Sequence, residues 1–495
     1  MAGGDDAPME VEDAAGEHAL QLLTQPLNVA ALNSLKRLSL KGAPLTSSPP
    51  ATLAAALSHC QRLNILDLDG SALQELPEVL ADMPSLEILF LPGLGLTSVP
   101  SFLAKCPQLR MLGVRNNQLE TINAQHLPRS LEWLIAANNQ LCAIPHVANV
   151  QQVRKLMLSH NRLTEKALEP VAGIACLEML RVASNLLERF PPQLARHPRL
   201  AWVAVGGNPF AEAALQRRLA AAPSAVDFGE VSLGEKLGSG AGATVYLADW
   251  RGKQVAVKLW SSQLFSDGSA QGELGVNRVA AQPGHQSLVG VLGVFEQPQP
   301  GMILELLEGA IAAASPPSFA TVTRDALRKD GGKGPSISAA AALDVARAVA
   351  QAVAYLHGKG LVHGDVYLHN TLVILDDSSK AVGALPAVHD VRLSDFGAAA
   401  AVDGADFEAL RRLEARSFGW LLQDLLDEAA AGMSAPASPD ANATPASVDT
   451  AAAVSLSLLR AARMRCSAET AEQLPDFEEV VRLLTLPPTS SGSAL

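Results

Sequence analysis

The chain has 495 residues, enough for about three domains, which excludes one small module. Its formal charge of −12 and pI of about 5.4 disfavour a main role in neutralising a polyanion, so nucleic acid is not the expected partner. Hydrophobic residues make up 48% and charged ones 18%, which excludes a mostly disordered chain, and the 4% aromatic share beside abundant alanine points to Ala-rich helices and loops. Cys60, Cys106, Cys142, Cys176 and Cys466 are odd in number, far apart and never arranged C-x-x-C, so neither a disulfide framework nor a zinc site is indicated and a reducing compartment fits best. The opening MAGGDDAPMEVEDAAGEH is acidic, without the basic and apolar regions of a secretory signal. No 18 uncharged apolar residues run together, since even Ser338 to Tyr355 contains Asp344 and Arg347. The expectation is a soluble cytoplasmic protein with no membrane span and a disordered acidic tail over residues 1–19.

From about residue 20 to 211 a frame L-x-x-L-x-L-x-x-N returns eight times, starting at Leu35, Leu63, Leu86, Leu109, Leu131, Val153, Leu177 and Leu200 with spacings of 28, 23, 23, 22, 22, 24 and 23. Stretches such as LRMLGVRNNQL and VRKLMLSHNRL alternate apolar residues as short strands with one buried face. This resembles the leucine-rich repeat, which implies a solenoid whose Asn117, Asn139, Asn161, Asn185 and Asn208 turn inward to satisfy backbone groups. Ala43, Ser71 and Leu94 stand at that position in the first three repeats, so less regular turns are expected there. Strand positions two and four after the first Leu point outward and include Met111, Trp133, Ile135, Met157, Met179 and Trp202. Apolar surface of this kind marks a protein contact, so the concave face is expected to dock a partner protein or the chain's own second domain, unless the register slips by one and these residues are core.

A helical linker follows over 212–226, and then VSLGEKLGSGAGATVYLADWRGKQVAVKLW reads as β-rich alternation. Gly238, Gly240 and Gly242 between two strand-like runs let backbone N–H groups approach phosphate oxygens, although hairpin turns use the same residues. Lys258 lies in V-A-V-K, with Glu273 in a plausible helix as its partner. After the helical run SAAAALDVARAVAQAVAYLHGKG, His363, Asp365 and Asn370 form H-x-D-x-x-x-x-N, and Asp395-Phe396-Gly397 follows 25 residues after Asn370. Two carboxylates and an amide oxygen are hard donors suited to Mg²⁺ held through phosphates, and one carboxylate can orient a hydroxyl.

Together these motifs resemble the eukaryotic-type protein kinases of the tyrosine-kinase-like, Ser/Thr branch. The implied fold is multidomain, α/β plus α+β: a leucine-rich-repeat solenoid followed by a bilobal kinase-like domain over 227–486, with 487–495 a disordered tail. By this resemblance ATP is covered by Leu237, Gly238, Ser239, Gly240, Gly242 and Val245, and is further bounded by Ala256 and by Glu305 and Leu307 of a hinge. Lys258 and Glu273 would form the ion pair that holds the α/β-phosphates, Asp365 would be the catalytic base, and Asn370 and Asp395 would hold Mg²⁺.

The departures are equally definite. Ala243 stands at the third glycine of the loop, Gly364 replaces the Arg before the catalytic Asp, and Tyr367 replaces a Lys two residues after it, with His369 a candidate to compensate. Only 19 residues separate Gly397 from Ser417, no A-P-E is present, and the Asp that opens the next helix in the family falls on Glu414. The low-complexity stretches 310–336, 376–390 and 431–451 are expected to be mobile loops. Two other readings stay open: a pseudokinase scaffold that binds ATP without turnover, and a small-molecule phosphotransferase.

Overall fold

The computed structural model describes residues 13–23, 27–45, 50–73, 75–221, 226–240, 242–328, 335, 337–376, 387–433, 445–468 and 470–485. It divides into two compact units, Met1–Leu177 and Glu178–Leu495. The first division thus falls inside the array of repeats, after the seventh frame has begun.

In the first unit, three-residue strands recur at the spacing of the repeats: β1 (Asp13–Ala15), β2 (Arg37–Ser39), β3 (Ile65–Asp67), β4 (Ile88–Phe90), β5 (Met111–Gly113), β6 (Trp133–Ile135) and β7 (Lys155–Met157). Each pairs in parallel with the next. β1 precedes the first frame and lies within the stretch expected as disordered tail, where its pairing to β2 and the helix after it order the described residues. Helices α1 (Gly16–Leu23), α2 (Val29–Ser34) and α3 (Pro50–Ser58) connect the first strands, tight 3₁₀ turns replace them later, and α4 (Glu165–Leu168) closes the unit. The central residues Leu38, Leu66, Leu89, Leu112, Leu134 and Leu156 are all buried, which sets the register: their neighbours on either side point the other way. Parallel strands at this interval are compatible with a solenoid.

The inward asparagines close each turn. Asn117 accepts the N–H groups of Leu94 and Leu96 at 3.1 and 3.0 Å and donates to the carbonyls of Leu91 and Val114, both at 2.9 Å. Asn161 accepts from Leu141 at 2.9 Å and donates to Ala136 and Leu158. The preceding residues Asn116, Asn138, His160 and Ser184 are left-handed, the bend that turns each Asn inward. Where Ser71 replaces Asn, its buried hydroxyl has no partner among the described residues.

The second unit opens with β8 (Met179–Arg181) and β9 (Trp202–Ala204), a parallel pair, with α5 (Pro192–Ala195) between them and α6 (Pro209–Leu219) after them. A five-stranded antiparallel sheet follows, built from β10 (Val231–Ser239), β11 (Ala243–Trp250) and β12 (Lys253–Trp260), with β15 (Val291–Phe295) and β16 (Gly301–Glu305) completing the order β10-β11-β12-β16-β15. Between β12 and β15 lie the hairpin β13 (Leu264–Phe265) and β14 (Gly268–Ser269) and helix α7 (Ala270–Ala280). The helical half contains α8 (Ala339–Gly358), α9 (Gly404–Met433), α10 (Pro445–Arg465) and α11 (Phe477–Thr485), with strands β17 (Ile311–Ala312), β18 (Leu361–Val362), β19 (Thr371–Leu375), β20 (Val388–Leu393) and β21 (Ala400–Ala401) on it. Among the described residues α8 is long and apolar enough to cross a membrane, but 61% of its most apolar stretch is buried inside the protein, as in a core helix. Ala342, Ala346 and Ala350 on α8 let neighbouring elements approach closely, around a core that includes Phe418, Leu422, Phe477 and Val480.

Two expectations change here. The described part of the 310–336 stretch is structured, with Thr323 and Asp325 buried, because they bond to Tyr367 and Leu368. In the 431–451 stretch, α9 runs to Met433 and α10 starts at Pro445. The remainder of these two stretches, most of 376–390 and the tail 487–495 lie outside the described residues.

Candidate active site

β12 and α7 bring Lys258 and Glu273 together. Lys258 Nζ lies 2.5 Å from Glu273 Oε1, and the indole N–H of Trp260 donates to Glu273 Oε2 at 3.2 Å. The helix is started by Ser269, whose hydroxyl accepts the Gly272 N–H, and this puts Glu273 in its first turn, where a carboxylate is favoured by the helix dipole. Burial alone would lower the pKa of Lys258, but Glu273 and Asp395 outweigh it and the net shift is upward, so the ammonium stays charged. The influence of Asp395 places all three groups in one electrostatic neighbourhood.

The β10–β11 hairpin pairs Gly238 with Val245 and Ser239 with Thr244, and Gly240 N–H donates to Ala243 at 2.9 Å. Cβ atoms at Gly238 and Gly240 would stand in open space, so the hairpin leaves room for a bulky group beneath it. Leu237 is exposed, and Ala256 is buried opposite Leu304 on β16. The Glu305 carboxylate turns away to accept the Gly290 N–H at 2.6 Å, which leaves the hinge backbone from Glu305 to Leu307 as the part that faces a ligand by the resemblance.

The loop that carries Asp365 lies between β18 and β19. His363 is buried, its Nε2 3.1 Å from the Ser394 carbonyl and its ring 5.2 Å from that of Phe396. Asn370 directly precedes β19 and Asp395 closely follows β20, so the antiparallel β19–β20 pairing brings them to the same end. Asn370 Nδ2 donates to the Asp365 carbonyl at 2.9 Å and to Asp365 Oδ2 at 3.0 Å. Asp395 is exposed and left-handed, with its Oδ1 accepting the Gly397 N–H at 3.1 Å. An amide oxygen and an exposed carboxylate at one strand end form a hard donor set that fits a divalent cation held partly through phosphates.

Asp365 is not alone. Arg181 on β8 pairs with Asp365 Oδ1, donates from Nη1 to the Gly364 carbonyl at 3.1 Å, and places Nε 2.9 Å from Asp267 in the β13–β14 turn. Burial would raise the pKa of Asp365, but Arg181 first and His369 next outweigh it and hold the carboxyl below the usual range. On β9 the Trp202 ring stacks on Tyr367 at 4.7 Å and 3°, and its N–H donates to the Val366 carbonyl at 3.3 Å. Tyr367 donates to the Thr323 carbonyl at 2.7 Å. His369 is bound to Asp325 at 2.5 Å, so its ring acts on Asp365 only through charge and not by a direct bond as the missing Lys would.

The glycine before Asp365 now has a physical reason. Gly364 is left-handed, and a Cβ there would stand 2.7 Å from the carbonyl oxygens of both Val203 and Ala398. The arginine expected from the resemblance has no room. Instead, Glu414 accepts the Gly364 N–H at 2.7 Å and bonds His357 at 2.7 Å, while Arg416 donates to the carbonyls of His197 and Leu200. α9 begins at Gly404, well before the S-F-G segment, so only six residues separate it from Gly397. The segment that would shelve a peptide is correspondingly brief.

Sequence reasoning did not find Arg181, Thr323, Asp325 or the pairing of Trp202 with Tyr367. One signal was available: Arg181 occupies the outward position where Phe90, Gly113, Ile135 and Met157 stand in the four preceding repeats, a charge after a run of uncharged residues, although Asp67 stands there in an earlier one.

Comparison with known proteins agrees with the second unit. The family model described as the protein kinase domain matches residues 231–412. A probable serine/threonine-protein kinase of Dictyostelium discoideum is 27% identical over 183 residues, which is 36% of this chain and 10% of that protein. The chain therefore spans about a tenth of the length of the curated relative it matches. These findings support a protein kinase domain, and such a domain implies ATP and a divalent metal.

Proposed function

We propose that the chain is an ATP-dependent protein kinase acting on serine and threonine hydroxyls, with the repeats as a leucine-rich-repeat scaffold that recognises or regulates. The buried Lys258–Glu273 pair carries this reading, because an ammonium held charged beneath an open glycine hairpin is suited to phosphate oxygens. Bound Mg²⁺·ATP supplies the phosphoryl group and the charge neutralisation for its transfer. Lys258 would bind the α/β-phosphates, Asn370 and Asp395 would hold Mg²⁺, and Asp365 would orient the acceptor hydroxyl and receive its proton. Cys60, Cys106, Cys142, Cys176 and Cys466 are all free thiols, which fits a reducing interior, so a cytoplasmic setting belongs to the proposal.

A nucleotide-binding scaffold without turnover is the second reading, favoured by one observation: both carboxylate oxygens of Asp365 are already engaged by side chains. Labelled Mg²⁺·ATP separates the two. Wild type should label itself or a generic protein on Ser/Thr, and Asp365→Asn should lose at least about 100-fold in transfer while still binding ATP. Transfer retained by the variant removes the role of Asp365, and ATP binding without label in wild type favours the scaffold.

A further inference from the structure

Phosphoryl transfer gathers negative charge beside the carboxylate that orients the acceptor, and sites that catalyse it place fixed cations there. The loop from Asp365 to Asn370 carries no Lys or Arg, and its one basic ring, His369, is committed to Asp325. The cation that reaches Asp365 comes from 184 residues upstream: Arg181, on strand β8.

Its placement is built, not incidental. The Arg181 side chain is 3% exposed; two of its nitrogens hydrogen-bond Asp365 and the Gly364 carbonyl, and the third, Nε, lies 2.9 Å from Asp267 as an ion pair. Withdrawing a guanidinium this far from water costs several kcal/mol unless it is paired, and two carboxylates supply the pairing. A mobile lid is not the geometry. The strand beside it is fixed to the same loop by the Trp202–Tyr367 stack, by the Trp202 bond to Val366, and by the Val203 carbonyl pressed against Gly364. Asp267 immediately precedes β14 and the cap of α7, so Arg181 also joins the loop that carries Asp365 to the helix that carries Glu273.

We propose that Arg181 is a positioning residue for phosphoryl transfer: it fixes the orientation of the Asp365 carboxylate, supplies the directly bonded cation that the loop of Asp365 itself lacks, and ties that loop through Asp267 to α7. This rests on the kinase reading above. A repeat strand would then be part of the catalytic apparatus in addition to any recognition role.

The test is steady-state transfer to a generic protein substrate by the full chain, comparing wild type with Arg181→Gln and Arg181→Lys. Gln should lower kcat by about 100-fold with the KM for ATP within about threefold of wild type, and Lys should recover at least about a tenth of the wild-type kcat. Asp267→Asn provides a second route should the Gln variant fail to fold, with kcat lowered about five- to tenfold as the far anchor of Arg181 is lost. An unchanged kcat in Arg181→Gln overturns the proposal, and a raised one identifies Arg181 as an internal cap. Loss of ATP affinity and of thermal stability in both Gln and Lys variants reduces Arg181 to a structural support and also overturns it. No transfer by wild type that still binds ATP removes the kinase reading, and this inference with it; brisk wild-type transfer indifferent to Arg181→Gln removes this inference alone.

Discussion

Strands β6 and β9 share a repeat register, yet their outward residues meet different fates. In the first unit Trp133 and Ile135 on β6 are half-buried, with Trp133 beneath the Lys155 ammonium at 4.0 Å and its N–H on Met157 sulfur. In the second unit Trp202 on β9 is 1% exposed, stacked on Tyr367, and Met179 on β8 is buried in the same cluster. Met111 and Met157, expected on the same outward face, are buried as well, and the last two strands are covered by the loop that carries Asp365 and Tyr367. Of the two occupants anticipated for the apolar face, the intramolecular one applies to Met179 and Trp202.

This contrast can be broken by substitution. The largest expected difference is between the two tryptophans: Trp202→Ala should cost about 3–5 kcal/mol of the second unit's unfolding free energy, since it empties a stacked, fully buried site. Trp133→Ala should cost about 1–2 kcal/mol, measured by the same denaturant titration, because that ring is only partly buried. Equal losses would erase the distinction between the two faces.

The inward side of the repeats sharpens it further, at a smaller scale. Asn208 accepts the N–H groups of Asn185 and Leu187, both at 3.1 Å, and donates to the Val182 and Val205 carbonyls. Asn208→Ala strands these groups inside the protein and should cost about 2–4 kcal/mol. Ser71→Ala, at the matching position of the second repeat, removes a buried hydroxyl with no partner among the described residues, and should leave the midpoint within about 0.5 kcal/mol of wild type. A large loss at Ser71 would show that its turn is held as the later ones are.

The inward asparagines were legible because their role is local: a left-handed residue followed by Asn, repeated at a fixed interval, dictates the bonds it makes. So were Lys258, Glu273, Asp365, Asn370 and Asp395, whose spacing places them on a strand, a helix and two strand ends. What the sequence did not disclose depends on long-range closure. Arg181 is an ordinary surface charge until Asp365 and Asp267 surround it. Thr323 and Asp325 sit in a stretch whose composition suggests a loop, and only the fold reveals that Tyr367 and His369 hold it in place. Gly364 reads as a lost arginine in sequence, whereas in space it is the one residue small enough to pass between two carbonyls.

The central claim is that the last repeat strands hold the loop that carries Asp365, and native-state hydrogen exchange across residues 363–370 tests it most directly. In Trp202→Ala these amides should exchange at least about tenfold faster than in wild type, while Trp133→Ala leaves them unchanged. Equal protection in wild type and Trp202→Ala would mean that the loop keeps its shape without the repeats, and would contradict the account.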